Sequence, residues 1–471
     1  MPPSADARPA ASHGAQATLA RELLARDGVL ITVGSVLGTG IFLTTGDIAR
    51  SLPHAGLILA VWLVGGLLTL TGALTYAELG AMFPRAGGQY QFLREAYGHL
   101  PAFLFGWTAF TVIQGGGIAT LAVGFGEYLG AFVPFFSTGH VLVRLPLGSS
   151  GWAINGGQLG GVLAILLLTA INYLGLREGT GVQNVVTLVK IGSLVGLGVL
   201  GLLAPAPVQP LLFAAPPAGA WPVAFGLGMI AVLWSFDGWY ATTNMAGEMK
   251  RPERDLPRAL VGGTALVTLL YLLVNLVYVR ALPVEAMDSS GRIGETAARV
   301  LFGDVGARLV TAAVLVSTFG CISSTILYAA RIYLPMAQDG VFFQALARVH
   351  PQHRTPSASI LAQGSWAAAL TFSGTYEQLY TYVMFAVVLF HAATGVAVFV
   401  LRRARPEAKR PYRVWGYPWV PGVFIVSSLA LVANTLVERP VESLVGLLIV
   451  ALGLPAYAFW RRAARPSAAP A

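Results

Sequence analysis

Cysteine and charge are both scarce in this sequence. Cys321 is the only cysteine among 471 residues, so no disulfide can form within the chain. Asp, Glu, Lys and Arg together make up 11% of the residues, whereas soluble domains carry roughly 25%. This composition excludes an ordinary soluble protein. With 55% hydrophobic residues and a mean hydropathy of +0.68, the chain is typical of proteins that cross a membrane many times.

The long hydrophobic runs predict membrane-spanning helices. A bilayer core about 30 Å thick is crossed by roughly 20 apolar residues in a helix that rises about 1.5 Å per residue. The sequence therefore predicts an all-α polytopic membrane protein, whose ninth helix is short. The twelve predicted spans are residues 28–49, 56–82, 101–133, 157–175, 182–204, 222–246, 258–280, 309–336, 358–373, 376–401, 418–437 and 441–460.

Basic residues predict the orientation of these spans. If the N-terminus is cytoplasmic, 22 of the 30 lysines and arginines fall in cytoplasmic segments and 7 in external ones, while Lys190 lies inside a span. Lys and Arg favour the cytoplasmic side of a membrane. Both tails, residues 1–26 and 463–471, are therefore predicted to be cytoplasmic. The net charge of +9 follows from this topology and indicates no nucleic-acid partner.

Residue patterns of metal and nucleotide sites are missing. No His, Cys or acidic residues have the spacing of metal ligands, and the glycine pairs lack the context of a nucleotide-binding loop. We therefore expect neither a metal nor a cofactor. A membrane-embedded enzyme would need catalytic groups clustered at one depth, and the spans offer almost none.

The first span contains an unusual stretch, GSVLGTGIF, at residues 34–42. Each glycine lowers helix propensity by roughly 1 kcal/mol relative to alanine and leaves the backbone open to a ligand. Close helix packing is the alternative, since Gly34 and Gly38 form a Gly-x-x-x-Gly pair. Unwound backbone survives in a membrane only where it faces protein or a watery cavity.

The sixth span is interrupted as well, by Asp237 and Gly238 within LWSFDGWYATTNMAG (residues 233–247). A carboxylate inside a membrane indicates function, although it could also satisfy neighbouring helix ends. Breaks in the first and sixth spans are the mark of a transporter built from two inverted five-helix repeats. Half-helix N-termini favour anions and freed carbonyls favour cations. A zwitterionic amino acid would satisfy both.

Three stretches of this sequence resemble one known family. GSVLGTGIF is similar to the first-helix motif of the amino acid–polyamine–organocation superfamily. YAELGAMFPRAGGQYQFLREAYG (Tyr76–Gly98) resembles its second-to-third-helix connection with a short re-entrant segment. FDGWYATTNMAGEMKRPERDLPRAL (Phe236–Leu260) resembles the sixth helix of its L-type amino acid transporter branch, especially the bacterial members. The resemblance covers roughly residues 25–460.

The resemblance implies a substrate site at the two breaks. The substrate carboxylate would meet Thr39 and Gly40, and its ammonium would meet the carbonyls of Val36, Trp234 and Asp237. Trp234 stands where the family commonly has a phenylalanine that closes over the substrate, and Asp237 stands where some relatives have glycine. The candidate substrate-binding residues are Val36, Gly38, Thr39, Gly40, Trp234, Ser235 and Asp237.

Lys190 is the candidate coupling residue. It lies about eight residues into the fifth span, deep for a lysine that reaches the interface. In the family that this chain resembles, a fifth-helix lysine occupies the place of a sodium ion, between the first and eighth helices. Hydroxyls of the eighth span could pair with it. Those hydroxyls belong to Ser317, Thr318, Ser323 and Ser324.

Two charged clusters are expected at the cytoplasmic face, as an inner gate or as solvated capping charges. Glu78 and Arg85 form one, and Glu248 with Lys250 and Arg254 forms the other. Glu127 and His391 are isolated, and a single histidine is more often a satisfied core residue than a ligand.

The resemblance implies a sodium-independent exchanger of neutral L-amino acids across the plasma membrane. The Ala/Arg/Gly-rich composition fits a bacterial inner membrane. Thr39 and Trp234 add bulk, which favours alanine, serine or threonine. A proton-coupled symporter, or a carrier of cationic amino acids or polyamines with Asp237 as counter-ion, is the alternative. Eukaryotic relatives use an external cysteine to tether a heavy subunit, and none is expected here. We expect a core at residues 27–403 and two further helices at 404–462.

Overall fold

A computed structural model describes residues 21–145, 152–174, 179–205, 221–352 and 355–463. Within these ranges the protein is almost entirely helical, as the apolar runs predict. The predicted tails fall mostly on residues 1–20 and 464–471, which lie outside the described residues.

The helices are labelled in chain order. They are α1 (Ala25–Val36), α2 (Gly40–Ser51), α3 (Ala55–Met82), α4 (Gln89–Tyr97), α5 (His99–Thr108), α6 (Gln114–Leu129), α7 (Gly156–Tyr173), α8 (Gly179–Leu203), α9 (Trp221–Phe236), α10 (Ala241–Asn244), α11 (Pro252–Ala281), α12 (Val284–Asp288), α13 (Ile293–Gln338), α14 (Ser357–Leu370), α15 (Tyr376–Ala404), α16 (Trp419–Glu438) and α17 (Pro440–Ala463). A π-helical turn, Ala109–Ile113, joins α5 to α6, and short 3₁₀ turns lie at Pro134–Phe136, Ala246–Glu248 and Gln344–Ala347.

Most of the predicted spans coincide with long helices. Among the described residues, nine helices are long and apolar enough to cross a bilayer, and the bent pair α1–α2 makes a tenth. With 16 and 14 residues, α9 and α14 are shorter than a full span. The total of twelve spans and the inverted repeat therefore stay predictions.

Glycines interrupt the helices of two predicted spans. The sixth span was predicted over residues 222–246 with a break at Asp237 and Gly238, and its long helix does end at Phe236, ahead of Gly238 with φ +93°. The eighth span was predicted over 309–336 and lies within α13, which begins earlier, at Ile293, and has a kink at Gly303 (φ +68°). Both glycines adopt the left-handed backbone region, which other residues rarely occupy.

A small β-hairpin departs from the all-α prediction. Strand β1 (Val141–Leu145) pairs antiparallel with β2 (Trp152–Asn155) between α6 and α7. Val141 and Val143 are β-branched residues suited to a strand. Asn155 then caps α7 by accepting a hydrogen bond from the backbone N–H of Gln158. The hairpin therefore sets the start of α7.

The helices differ in how far they are covered by protein. In the apolar windows of His99–Leu129 and α15, 83% and 72% of the residues are buried, compared with 22% in α16 and 17% in α17. The first two therefore lie in the centre of the bundle, and α16 and α17 lie at its edge with apolar side chains exposed. The exposed Leu444, Leu448 and Leu452 of α17 suit contact with lipid.

A buried ion pair anchors the segment after α15 to α3. Glu78 is 1% exposed and accepts hydrogen bonds from the guanidinium of Arg402 (2.9 and 2.6 Å) and from the backbone N–H of Val414 (2.7 Å). Arg410 lies 3.6 Å away. Glu78 therefore pairs with Arg402 of α15 and with Arg410 of the segment after it. The expectation that Glu78 pairs with Arg85 was wrong, because its carboxylate is occupied by these two arginines and by the N–H of Val414.

We expect Glu78→Ala to destabilise the protein by about 3 kcal/mol, because it leaves two arginines without their buried partner. The control is Glu95→Ala, which removes a partly exposed pair with Arg405 and should cost at most about 1 kcal/mol. Thermal unfolding of both purified variants in detergent measures the difference. Equal stability of the two variants would contradict this role for Glu78.

Candidate functional site

The first predicted span is broken between α1 and α2. The two helices meet at a 42° bend around residues 37–39. Leu37 has a non-helical backbone (φ −71°, ψ 76°). Because α2 begins at Gly40, the first N–H groups of α2 have no carbonyl within the helix to bond to. The break therefore presents free amides on one side and the last carbonyls of α1 on the other.

Four consecutive carbonyls at the end of α1 each accept a hydrogen bond from a side chain. The donors come from α8, α11 and α13. The pairs are Lys190 Nζ with Gly34 (2.9 Å), Cys321 Sγ with Ser35 (3.1 Å), Tyr271 Oη with Val36 (3.1 Å) and Ser317 Oγ with Leu37 (2.8 Å). These donors replace the helical N–H groups that the break removes. The carbonyl oxygen of Val36 therefore already accepts a hydrogen bond from Tyr271, and a substrate ammonium would be a second donor to the same oxygen.

The second break lies after α9 and touches the first. Gly238 has φ +93°, and a Cβ added to it would lie 2.8 Å from the carbonyl oxygen of Ser35. The Tyr271 hydroxyl, which bonds Val36, also donates to the carbonyl of Ser235 at 2.9 Å. A single side chain thus links the two breaks. Only glycine combines this backbone angle with this close approach.

One cavity lies between the two breaks, and all seven predicted substrate-site residues line it. These are Val36, Gly38, Thr39, Gly40, Trp234, Ser235 and Asp237. We call it the central cavity. The remaining lining residues are Ser35, Ile113, Gln114, Gly117, Leu121, Cys321, Thr325 and Tyr328. Among its polar atoms, Ser35 Oγ and Asp237 Oδ1 are buried without a hydrogen-bond partner in the structure.

The glycines of the first break permit close helix packing. A Cβ on Gly34 would collide with Thr187 of α8, and a Cβ on Gly40 would lie 2.6 Å from the Cα of Ser235 in α9. Gly40 also lines the central cavity. Packing and exposure of the backbone were stated as alternatives for this stretch, and Gly40 combines the two.

Three polar atoms close one side of the central cavity. The hydroxyl of Tyr376 accepts a hydrogen bond from Trp234 Nε1 (2.8 Å) and lies 3.0 Å from Thr39 Oγ1. The ring of Tyr380 stacks on Trp234, with centroids 6.2 Å apart. We call the side chains of Trp234, Tyr376 and Tyr380, together with Thr39, the aromatic layer. It separates the central cavity from the predicted outer end of the bundle.

Lys190 is buried, and its ammonium donates to α1 rather than to a hydroxyl of α13. The four hydroxyls proposed as its partners bond elsewhere: those of Thr318 and Ser324 bond carbonyls of their own helix. Ser317 bonds Leu37, and Ser323 bonds Asn172. Lys190 packs against α13 at Gly320, whose added Cβ would lie 3.6 Å from Nζ. It therefore connects α8, α1 and α13.

Ion pairs lie at both ends of the bundle, on either side of the central cavity. At the predicted outer end, Arg50 of α2 pairs with Asp288 at 2.9 Å and lies 3.8 Å from Glu377. At the predicted cytoplasmic end, Glu248 pairs with Arg331. The expected partners of Glu248 were Lys250 and Arg254, and that expectation was wrong because α13 carries Arg331 to the end of the second break.

No group of three or more potential metal ligands is found among the described residues. The central cavity thus offers a free helix N-terminus, carbonyl groups and unpaired oxygens, all enclosed by the bundle. These groups suit a small molecule that carries both signs of charge.

Sequence comparison identifies the family. The family model described as amino acid permease matches residues 28–456. The chain belongs to the amino acid permease family. It is therefore a membrane transporter and not an enzyme.

Individual relatives match this permease along most of their length. It is 31% identical to the serine/threonine exchanger SteT of Bacillus subtilis over 430 residues, which cover 91% of this chain and 94% of that protein. It is 30% identical to the mouse b(0,+)-type amino acid transporter 1, with 93% and 88% covered. It is 27% identical to the human cystine/glutamate transporter, with 93% and 85% covered.

Sequence reasoning missed several residues that shape the cavity of this permease. Tyr271 and Cys321 bond the first break, Tyr376 closes the aromatic layer, and Tyr328 lines the cavity. Each lies in an otherwise apolar helix, where one tyrosine or cysteine looks like an ordinary core residue. Only their convergence on the breaks distinguishes them, and a linear sequence does not display it.

We expect Gly40→Ala to weaken amino acid binding about tenfold or more, since its methyl group would be forced against the backbone of Ser235. The control is Gly192→Ala on α8, where an added Cβ meets no atom within 4 Å. Uptake into proteoliposomes and substrate-dependent thermal stabilisation measure both. Wild-type behaviour of Gly40→Ala would show that the central cavity is not where substrate binds.

Proposed function

We propose that this permease exchanges small neutral L-amino acids across the plasma membrane by alternating access. One observation carries this proposal: two helix breaks bring a free helix N-terminus and backbone carbonyls together around one cavity. The N–H groups of Thr39 and Gly40 would bind the substrate carboxylate. The carbonyls of Val36, Trp234 and Asp237 would face its ammonium, with Ser35 Oγ as a further acceptor that the structure leaves unpaired.

The similarity to relatives supports exchange as the mode of transport. The bacterial relative is named a serine/threonine exchanger, and this permease covers 94% of it. An exchanger returns to the other side of the membrane only with substrate bound. A central cavity with ion pairs towards both ends fits a state through which such a protein passes during exchange.

The aromatic layer supports a small substrate. Trp234, which lines the central cavity, is held in place by its hydrogen bond to Tyr376 and its stacking on Tyr380. The methyl group of Thr39 packs against Gly124, which lies outside the lining of the cavity. Leu121 and Tyr328 narrow the remaining walls. These contacts favour alanine, serine and threonine over leucine or phenylalanine.

We also propose the complete topology of the permease. Twelve spans would form a core of two inverted five-helix repeats at residues 27–403, followed by two helices at 404–462. The breaks in α1–α2 and in α9–α10 would occupy equivalent places in the two repeats. The termini would be cytoplasmic, as the distribution of lysine and arginine favours.

We also propose that the permease works without sodium and without a disulfide-linked subunit. The ammonium of Lys190 lies on the carbonyl of Gly34 between α1 and α13, which supports its acting in place of a sodium ion. The single cysteine, Cys321, is buried in α13. It is therefore unsuited to an external disulfide.

We expect proteoliposomes loaded with unlabelled alanine to take up labelled alanine, whereas empty vesicles take up little. Replacing sodium by potassium in the buffer should leave the rate unchanged. Strong uptake into empty vesicles driven by a proton gradient would instead support a proton symporter, with Lys190 as its proton site.

A carrier of cationic amino acids or polyamines is the second candidate. The observation that favours it is the carboxylate of Asp237, which lines the central cavity with one oxygen unpaired. Arginine and putrescine added outside the same loaded vesicles separate the two candidates. Uptake of either compound, with alanine excluded, would replace the neutral assignment by the cationic one.

We expect Lys190→Met to slow exchange about tenfold or more with a smaller change in KM, because it removes the charged donor from the carbonyl of Gly34. The control is Val189→Met on the exposed face of the same helix. Initial rates of alanine exchange over a range of concentrations measure turnover and KM separately. Unchanged turnover in Lys190→Met would reduce this lysine to a packing role.

A further inference from the structure

A second, smaller cavity lies behind the central cavity, among α3, α9, α15 and α16. Its polar lining consists of Thr69, Asp237, His391 and Ser428. We call it the rear cavity. Asp237 lines both cavities and so forms part of the wall between them. His391 belongs to the rear cavity, and sequence reasoning treated it as a satisfied core residue.

The two titratable groups of the rear cavity have unpaired atoms. Asp237 Oδ1 and His391 Nε2 are both buried and have no hydrogen-bond partner in the structure. The hydroxyls of Thr69 and Ser428 donate to carbonyls of their own helices, so they can still accept but have no free donor. Buried polar atoms are normally paired, and leaving two of them unpaired costs several kcal/mol.

Aromatic rings surround the imidazole of His391. The rings of Tyr76, Trp239, Tyr240 and Phe424 lie with centroids 5.4–5.9 Å from it. These rings exclude bulk water from the imidazole. Its unpaired Nε2 must therefore find a hydrogen-bond partner inside the rear cavity.

Few other groups around His391 can change their charge. Tyr76 comes from α3, and Tyr240 comes from the segment after α9. The contributions of α16 to the ring contacts and to the cavity, Phe424 and Ser428, do not titrate. Gln89 of α4 is neutral and bonds the α15 backbone and Thr394. Asp237 is the only carboxylate that lines the rear cavity among the described residues.

We propose that Asp237 and His391 together bind one proton, which water held in the rear cavity passes between them. Without this proton the pair carries one negative charge, and with it the pair is neutral. The proton comes from bulk water when the permease is open and returns there. It satisfies the two unpaired atoms, because the protonated partner donates through water to the other.

Protonation of the Asp237–His391 pair would depend on the charge of the bound substrate. A cationic side chain beside Asp237 favours the unprotonated pair, whereas a neutral substrate has no such preference. By linkage, the central cavity must then bind cationic compounds more tightly at high pH, where the pair is unprotonated. This consequence rests on the proposed function, since it places the substrate in the central cavity. The protonation itself does not.

Infrared spectroscopy tests the protonation without any substrate. Difference spectra of the purified permease between about pH 5 and pH 8, the range in which histidine ordinarily titrates, should contain carboxyl and imidazole bands from one shared step. Asp237→Asn and His391→Gln should each remove that step. The control His99→Gln changes an exposed histidine and should retain it. Absence of the step in the wild type, or its persistence in both variants, would overturn the proposal.

Transport then tests the linkage. In proteoliposomes with the same pH inside and outside, arginine should inhibit alanine exchange about fivefold more strongly near pH 8 than near pH 5. His391→Gln should abolish that difference. Inhibition independent of pH in the wild type would contradict the linkage. Failure of alanine exchange itself would reject the proposed function and leave the infrared result standing.

Discussion

The structure depends on the pairing of backbone groups where two helices are interrupted inside a membrane. No water is available there to bond an exposed carbonyl, so each one needs a partner from the protein. At the end of α1, four successive carbonyls receive such partners from Lys190, Tyr271, Ser317 and Cys321. The amides at the start of α2 receive none from their own helix. We propose that this asymmetry lets the central cavity bind an anion on one side only.

The same hydrogen bonds connect the cavity to the rest of the bundle. Tyr271 joins the two breaks, because its hydroxyl donates to carbonyls of both. Lys190 and Ser317 join α1 to α8 and α13. A substrate that draws the breaks together or apart must therefore change contacts in helices that it never touches. Such coupled contacts allow binding at the centre to open one end of the bundle and close the other.

The sequence predicted the outline of this architecture well. Hydrophobic runs located most helices, and the glycines around residue 38 together with Asp237 located both breaks, since these residues violate the rules for an apolar helix. The contacts between side chains could not be predicted. The ion pairs Glu78–Arg402 and Glu248–Arg331 and the aromatic layer all join residues that are far apart in the chain. His391 looked like a core residue because its significance depends on the atoms that surround it.

The single cysteine gives the most direct measurement of whether amino acids bind in the central cavity. Cys321 lines that cavity, and no other thiol competes for a reagent. The rate at which a small maleimide labels the purified permease can be followed by intact-protein mass spectrometry. Saturating alanine should slow the labelling, and the labelled protein should no longer exchange alanine. An unchanged labelling rate, with full activity after labelling, would contradict the account.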